Sequence, residues 1–212
     1  MMAKLFGEME INNLQLIKPL LNFANDDVFY HLQILKRKKE HPSLGSNSYV
    51  VKTYYISSIE YLEFKMSEII ELCKFHQARA YINLIPRSFE KIAFHTLKKV
   101  TDCIMNKDYK SVRKAYESVC GEFGNGTKRW VIDIDVKDFE FVDKIGKIID
   151  TMKSGKEDTI EANVLGYIPT KNGWHIITRP FNLKQFEPYK VQCQLDIHKN
   201  NPTILYCKLN GN

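Results

Sequence analysis

Two carboxylates placed two residues apart mark the stretch of this chain whose residue types are best suited to chemistry. Asp133 and Asp135 lie in the apolar, β-branched run 129–135. In a strand, residues two apart point to the same face, so the acids project together while Ile132 and Ile134 face a core. Neighbouring carboxylates repel each other, and a divalent cation offsets that repulsion. The pattern therefore indicates a metal site, with a strand end whose acids reach water as the alternative.

Two further polar residues interrupt apolar runs downstream. His175 follows the pair Asn172-Gly173, which predicts a tight turn with positive φ, and Asp196 lies inside the apolar run 191–198. A buried acid is costly unless it is paired or metal-bound, whereas a lone strand histidine is commonly a core or surface residue. If these strands adjoin, three carboxylates suit a hard cation with oxygen ligands, and a histidine with nearby Lys or Arg suits a triphosphate.

The elements that must position these residues form a regular series in the second half of the chain. The order strand, helix, strand, strand, short helix, strand is typical of an antiparallel sheet covered by helices on one face. The expected strands are 129–135, 162–168, 174–178, 191–198 and 203–208, with a helix through 141–149 and a short one at 183–186.

The first half predicts a different mixture of elements. It should contain a hairpin of strands 28–38 and 49–56, a helix capped by Ser57 or Ser58, a strand over 78–85, a helix from Ser88 to about Met105, and another after Asp108. A glycine-rich break over 121–128 separates the halves. We therefore expect an α+β fold with an N-terminal α/β portion, 1–124, packed on a second portion, 125–212, as one compact domain.

The composition predicts a folded, basic protein. The chain has 212 residues, is 44% hydrophobic and 26% charged, and carries a formal net charge of +6. These values allow a core, exclude a disordered chain and favour a polyanionic partner. The run Lys36-Arg37-Lys38-Lys39 is either a phosphate-contacting arm or a solvated strand end.

Cysteine spacing and hydropathy indicate the compartment. The five cysteines are scattered and none forms a Cys-x-x-Cys pair, which argues against a zinc ribbon and fits reduced thiols in a cytosolic protein. The N-terminus lacks the apolar segment of a signal peptide, and no apolar run approaches the roughly 18 residues of a membrane span. We expect a cytoplasmic protein without a membrane partner.

Over residues 78–208 the chain resembles the archaeo-eukaryotic primase superfamily, the fold of primase small subunits and primase-polymerases. Its first motif, an apolar run ending in Asp-x-Asp, corresponds to 131–135; its second, a small residue, any residue and His, to 173–175; its third, an apolar residue and an acid, to 195–196. Gly173 stands where Ser is common, and neither a zinc-binding cysteine set nor a helicase-like extension is present. The chain thus resembles the compact versions of phages, plasmids and other mobile elements.

The resemblance implies an RRM-like (ferredoxin-like) catalytic core over 125–212 that performs template-directed nucleotidyl transfer during DNA replication. Asp133, Asp135 and Asp196 would hold two Mg²⁺ or Mn²⁺ ions, which activate the attacking 3′-hydroxyl and neutralise the α-phosphate. His175 would donate to a triphosphate oxygen. The remaining nucleotide-binding residues would be Lys171, Asn172, Gly173 and Arg179.

The partners implied by the resemblance are nucleoside triphosphates, a single-stranded DNA template, and a helicase or another replication protein. Arg79 and Arg87 are candidate nucleotide or template contacts, with ordinary surface ion pairs as the alternative. Two other functions remain open from the sequence. One is a metal-dependent nuclease that uses the same carboxylates, and the other is a non-catalytic RRM-like nucleic-acid-binding module in which Tyr81 or Trp174 stacks on bases.

Overall fold

The computed structural model describes residues 10–42, 48–124, 128–152 and 162–209 as an α+β fold with two antiparallel sheets. Residues 125–127, in the break between the expected portions, lie outside the described residues. The elements, in chain order, are β1 (Glu10–Asn12), α1 (Leu14–Ile17) with a 3-10 turn (Lys18–Leu20), β2 (Val28–Lys36), β3 (Tyr49–Ile56), α2 (Ile59–His76), β4 (Arg79–Ile82), β5 (Arg87–Ser88), α3 (Phe89–Met105), α4 (Tyr109–Val112), α5 (Ala115–Glu122), β6 (Trp130–Ile134), α6 (Phe139–Asp150), β7 (Val164–Pro169), β8 (Trp174–Thr178), α7 (Leu183–Cys193), β9 (Asp196–His198) and β10 (Thr203–Lys208).

The first sheet has the strand order β1-β10-β4-β2-β3, with β5 paired to β2. Its hairpin, β2 and β3, was expected from the alternating pattern, and so was α2, whose N-cap Ser58 accepts a hydrogen bond from the Tyr61 amide at 3.0 Å. Helix α2 packs on one face of this sheet through Leu62, Ile69 and other apolar residues. The opposite face, at its Phe29 end, is covered by α3 and α5.

The second sheet has the order β7-β8-β6-β9, and every neighbouring pair is antiparallel. In sequence its elements run β6-α6-β7-β8-α7-β9, so that β8 lies between β6 and β7. Apolar side chains of one face, including Ile132, Ile134 and Ile176, form a core with α6 and α7. The other face carries Val131 and Ile177, which belong to the core of the first sheet. The two sheets therefore pack together along that face.

Two of the expected strands are placed differently from the prediction. Residues 191–193 end α7 instead of beginning a strand: Asn182 caps this helix, Phe186 anchors it, and Gln194 ends it in a left-handed conformation with φ of 52°. Val191 is 69% exposed, so the apolar residue that suggested a buried strand contributes nothing to the core. The strand of this region is only β9.

The last strand crosses the expected division at residue 124. Strand β10 pairs with β1 and β4 in the first sheet and does not extend the second. Its Ile204, Leu205 and Tyr206 are at most 1% exposed and belong to the first core. The chain thus returns to its N-terminal sheet after completing the second, and residues of both portions build the core of the first sheet.

One finding bears on membranes. In the part of the chain that the structure describes, no helix combines the length and the apolar character needed to cross a bilayer.

Candidate catalytic site between the two sheets

The expected carboxylate and histidine meet across three neighbouring strands of the second sheet. Asp133 on β6 is the register partner of His175 on β8 and of Asp196 on β9. Directly opposite residues of an antiparallel pair have Cα atoms about 5 Å apart and share one face. Ile132 and Ile134 are buried in the core on the other face, as the alternation predicted. The three motif residues therefore project together toward the first sheet.

The site opens into a cavity of about 370 Å³ between the sheets. Asp133, Asp135 and His175 line it on the side of the second sheet, while Arg79 and Tyr81 of β4 line it on the side of the first. A space of this size is within the range of small-molecule sites. Residues from both halves of the chain thus form one cleft.

His175 is held in place from the first sheet. Its Nδ1 lies 2.8 Å from the Thr203 hydroxyl oxygen on β10, and its Nε2 lies 3.5 Å from Asp133 Oδ1. The tautomer with its proton on Nε2 suits the neighbouring carboxylate, and the Thr203 hydroxyl then donates to Nδ1. The Nε2–H group is consequently directed to the acidic side of the cavity.

The imidazole of His175 is neutral at physiological pH. Burial, together with the nearby charges of His198 and Arg37, lowers its pKa to about 4. Only 14% of the side chain is exposed. The contact with Asp133 is therefore that of a neutral ring with a carboxylate, at a distance longer than a direct hydrogen bond.

The surroundings of Asp133 disfavour the charged form of its carboxyl group. Burial raises its pKa, the Asp135 carboxylate raises it further, and Asp196 contributes in the same direction. His198 and Arg37 offset part of this effect. Neighbouring carboxylates repel one another, and an added cation would relieve that repulsion.

Asp196 itself is placed differently from the prediction. It is exposed at the first position of β9, so the expected cost of a buried acid does not apply, although the preceding Leu195 is buried. Asp196 lies opposite Asp133 in the register of β6 and β9, and its negative charge contributes to the raised pKa of Asp133. Asp135, just after β6, is also exposed and lines the cavity.

The turn before His175 approaches the end of β6 very closely. A Cβ added to Gly173 would lie 1.9 Å from the Ile134 carbonyl oxygen and 2.7 Å from the Val136 amide nitrogen. The expected tight turn is present, with the Thr170 amide donating to the Gly173 carbonyl at 2.8 Å, but neither Asn172 nor Gly173 adopts the left-handed conformation expected for it. Glycine is required here by contact with the backbone of β6, where a serine would clash. Gly173 therefore positions the turn, and Asn172 and Lys171 are the turn residues that line the cavity.

Two arginines predicted near the nucleotide or the template lie elsewhere. Arg179 follows β8 at the end remote from Gly173, where its side chain donates to the Ala162 carbonyl. Arg87 is 1% exposed and donates to the carbonyls of Cys120 and Ile85. Burial lowers the pKa of Arg87 to about 10. Its hydrogen bond to Cys120 joins β5 to α5, and its low exposure leaves the guanidinium little surface for a nucleic-acid contact in the free protein.

Trp174 is also unavailable for base stacking. It is 1% exposed, packs near Phe139 and donates from its indole nitrogen to the Lys137 carbonyl at 3.3 Å. Tyr81, the other aromatic residue considered, lines the cavity.

The residues of the basic run Lys36–Lys39 lie in different environments at the end of β2. Arg37 lines the cavity near Asp133, whereas Lys38 and Lys39 are exposed in the following turn and Lys36 is the last residue of the strand. Arg79 lines the same cavity but forms an ion pair with Glu40. The ion-pair alternative raised for Arg79 therefore applies in the free protein.

Sequence reasoning missed two residues of the site. His198 lines the cavity and lies two residues after Asp196, so strand alternation from the acid could have identified it. Thr203, which hydrogen-bonds to His175, gives no such signal because it comes from a different sheet.

The acids have the donor chemistry for a hard divalent cation, although they are not gathered around one point. Among the residues described by the structure, no group of three or more His, Cys, Asp or Glu side chains is arranged to hold a metal ion. Asp135 and Asp196 are exposed, and exposed side chains reorient rapidly. The oxygen ligands and the mutual repulsion at Asp133 fit Mg²⁺ or Mn²⁺.

Comparison of the chain with protein-family models, curated proteins and solved structures finds no match. Function is therefore inferred from the residues of the site.

Proposed function

We propose that this protein is a template-directed nucleotidyltransferase of the primase or primase-polymerase type. The observation that carries the proposal is the register of Asp133 between His175 and Asp196 on three adjacent strands. These are the residues of the three motifs that resemble the archaeo-eukaryotic primase superfamily, and they are separated by up to 63 positions in the chain. Their meeting on one face of one sheet supports a common role.

The topology of the second sheet supports the same proposal. Two strand-helix-strand units interleave, so that β8 separates β6 from β7 and β6 separates β8 from β9. This split βαβ order is typical of ferredoxin-like, RRM-like folds. Fold alone does not imply function, so the topology supports the identity of the scaffold and the site supports the chemistry.

The chain's own residues have separable roles in this reaction. Asp133, Asp135 and Asp196 would hold two Mg²⁺ or Mn²⁺ ions, which when bound lower the pKa of a 3′-hydroxyl and neutralise charge on the α-phosphate. The neutral His175 would donate its Nε2–H to a triphosphate oxygen. Arg37 and Lys171 would attract the phosphates into the cavity. The net charge of +6 suits a single-stranded DNA template.

The test is a labelled-nucleotide extension assay with Mg²⁺ or Mn²⁺ on primed and unprimed single-stranded templates, with both ribonucleotides and deoxynucleotides. Wild-type protein should lengthen a primer or synthesise one, and Asp133→Asn/Asp135→Asn should abolish the product. Asp102→Asn, which removes an exposed acid from α3, is the matched control and should keep full activity.

Each rival gives a different result in the same assay. A metal-dependent nuclease would shorten the DNA without nucleoside triphosphates and would lose that activity in the Asp133/Asp135 variant. A non-catalytic module would bind the template equally in both proteins and make no product. Either result would overturn the proposal. Recruitment by a helicase or another replication protein would follow from the same function.

A further inference from the structure

A second cavity of about 370 Å³ adjoins the catalytic cavity. Arg79 and Lys171 line both of them, so the two spaces meet at these cations. Lys74 and Lys208 line the second cavity as well, and its only carboxylate among the described lining residues is Glu40. The wall of the second cavity is therefore strongly basic, and it lies next to the acids that line the first cavity.

The positive charge in this wall lies partly below the surface. Arg79 is 9% exposed, and its side-chain hydrogen bonds in the described part of the chain go to one carboxylate: Nε donates to Glu40 Oε2 at 3.1 Å, and Nη2 donates to Glu40 Oε1. Lys171 Nζ lies 3.8 Å from the same Oε1. An anion beside a buried guanidinium offsets the cost of burying its charge, and here that anion comes from the surface turn after β2.

The carboxylate of Glu40 resembles a phosphate in the way it is bound. A guanidinium presents parallel N–H donors that match carboxylate and phosphate oxygens alike. The neighbouring lysines exceed what one carboxylate neutralises, although Lys74 also pairs with Glu10 at 3.0 Å. In the described part of the chain Lys208 forms no ion pair with Glu40, and it lies opposite Glu10 in the register of β1 and β10. A group with more than one negative charge in this cavity would satisfy Arg79 and Lys171 better than Glu40 does and would also attract Lys208, which lines the same cavity.

We propose that Arg79, Lys171 and Lys208 form a binding site for the terminal phosphates of a di- or triphosphate, which Glu40 occupies in the free protein. Ligand phosphates displace the Glu40 carboxylate and take over its contacts with Arg79 and Lys171. Because Arg79 is buried, a terminal phosphate reaches it end-on, whereas an internal phosphodiester carries a sugar on each side. The identity of the ligand as incoming nucleotide or leaving pyrophosphate rests on the proposed function.

The test measures binding of inorganic pyrophosphate by calorimetry at pH 7.5 in EDTA, so that no divalent ion takes part. Glu40→Gln removes the competing charge but keeps a neutral acceptor for Arg79, and it should tighten pyrophosphate binding about tenfold, the scale of one charge-assisted hydrogen bond. Lys171→Gln/Lys208→Gln should weaken binding at least tenfold. Glu63→Gln, which removes the carboxylate of a surface pair with Lys18, is the matched control and should leave the affinity at the wild-type value.

Three results would overturn the inference. They are equal affinity in the wild type and Glu40→Gln, an equal gain in Glu63→Gln, and equal binding of sulfate and pyrophosphate, which would indicate an adventitious anion site. Arg79→Lys provides an independent measurement, since it keeps the charge but loses the paired donors. In the Glu40→Gln background it should cancel most of the gain in affinity.

The failure of this site and the failure of the proposed function are distinguishable. Pyrophosphate binding in EDTA should persist in Asp133→Asn/Asp135→Asn, because these acids are outside the second cavity. Tight binding without any extension product would overturn the polymerase function alone. Extension activity with an unchanged nucleotide KM in Lys171→Gln/Lys208→Gln would overturn the phosphate site alone.

Discussion

Replacement of His175 by Gln should remove a pH dependence of stability that the structure allows us to calculate. Burial lowers the pKa of this imidazole from 6.5 to about 4, so the unfolded chain binds a proton in this interval that the folded protein excludes. The stability contributed by the neutral ring is present above pH 6.5 and is lost as the pH falls through 4. Each pKa unit corresponds to about 1.4 kcal/mol, which gives a total loss of about 3 kcal/mol.

Most of this loss of stability occurs in a pH interval that is accessible to experiment. Between pH 7 and pH 5 the wild type should lose about 2 kcal/mol more than His175→Gln, because the unfolded histidine is by then almost fully protonated. The assay is urea denaturation in EDTA at half-unit pH steps, with the difference between the two proteins plotted against pH. Titration of Asp133 and other carboxylates occurs in both proteins and cancels to first order in that difference.

A second neutral replacement, His175→Asn, guards against a purely structural effect. Its overall stability can differ from that of His175→Gln, but the slope of its stability against pH should be the same. Parallel curves for the wild type and both variants would refute a buried neutral His175. They would also remove the reason for assigning it an Nε2–H donor in the site.

Four other perturbations follow from the site. Mn²⁺ at a hundredfold excess over its dissociation constant should stabilise the wild type by about 2.7 kcal/mol and leave Asp133→Asn/Asp135→Asn unchanged, as measured by thermal melting. In EDTA, Asp133→Asn should be at least as stable as the wild type at pH 7, because its raised pKa means that the charged carboxylate is disfavoured in the fold. Gly173→Ala should lower stability by about 3 kcal/mol or more in urea, since its methyl group meets the Ile134 carbonyl. Replacing Lys36–Lys39 with Ser should flatten the slope of log affinity for single-stranded DNA against log salt concentration.

Each of these predictions can be contradicted by a specific result. Equal Mn²⁺ shifts in both proteins would place the metal elsewhere, and a destabilised Asp133→Asn in EDTA would contradict the repulsion at that acid. A Gly173→Ala protein as stable as the wild type would disprove the tight contact between the turn and β6. An unchanged slope of log affinity against log salt concentration would indicate that Lys36–Lys39 is only a solvated strand end. Lys144→Ser/Lys147→Ser, on the exposed side of α6, controls for the loss of charge alone.

The position of the site explains why the two sheets must stay together. Asp133 belongs to the second sheet, but the hydroxyl that orients His175 comes from Thr203 on β10 in the first. Arg79 on β4 likewise faces acids that its own sheet does not carry. A fragment beginning at residue 125 would keep the motifs but lose β4 and the partners of β10, so it would lack half of the cavity.

The sequence by itself determined the features that depend on neighbours within a few positions. Alternation placed Asp133 on one face of β6 and the isoleucines on the other, and the capping serines marked the starts of α2 and α3. These are properties of the pleat and of helix ends, which a short window of residues fixes. The basic excess likewise followed from composition.

Only the tertiary structure decided which distant residues meet. Arg79 and Arg87 are eight positions apart and looked equivalent, and both are buried. Arg79 nevertheless lines the cavity, whereas Arg87 donates to the Cys120 carbonyl, because different elements pack above each strand. The register of Asp133 with His175 and Asp196, and the return of β10 to the first sheet, are set by the packing of apolar faces far apart in the chain. Local periodicity fixes which face a side chain takes, but strand register and sheet membership depend on long-range packing that no short stretch of sequence contains.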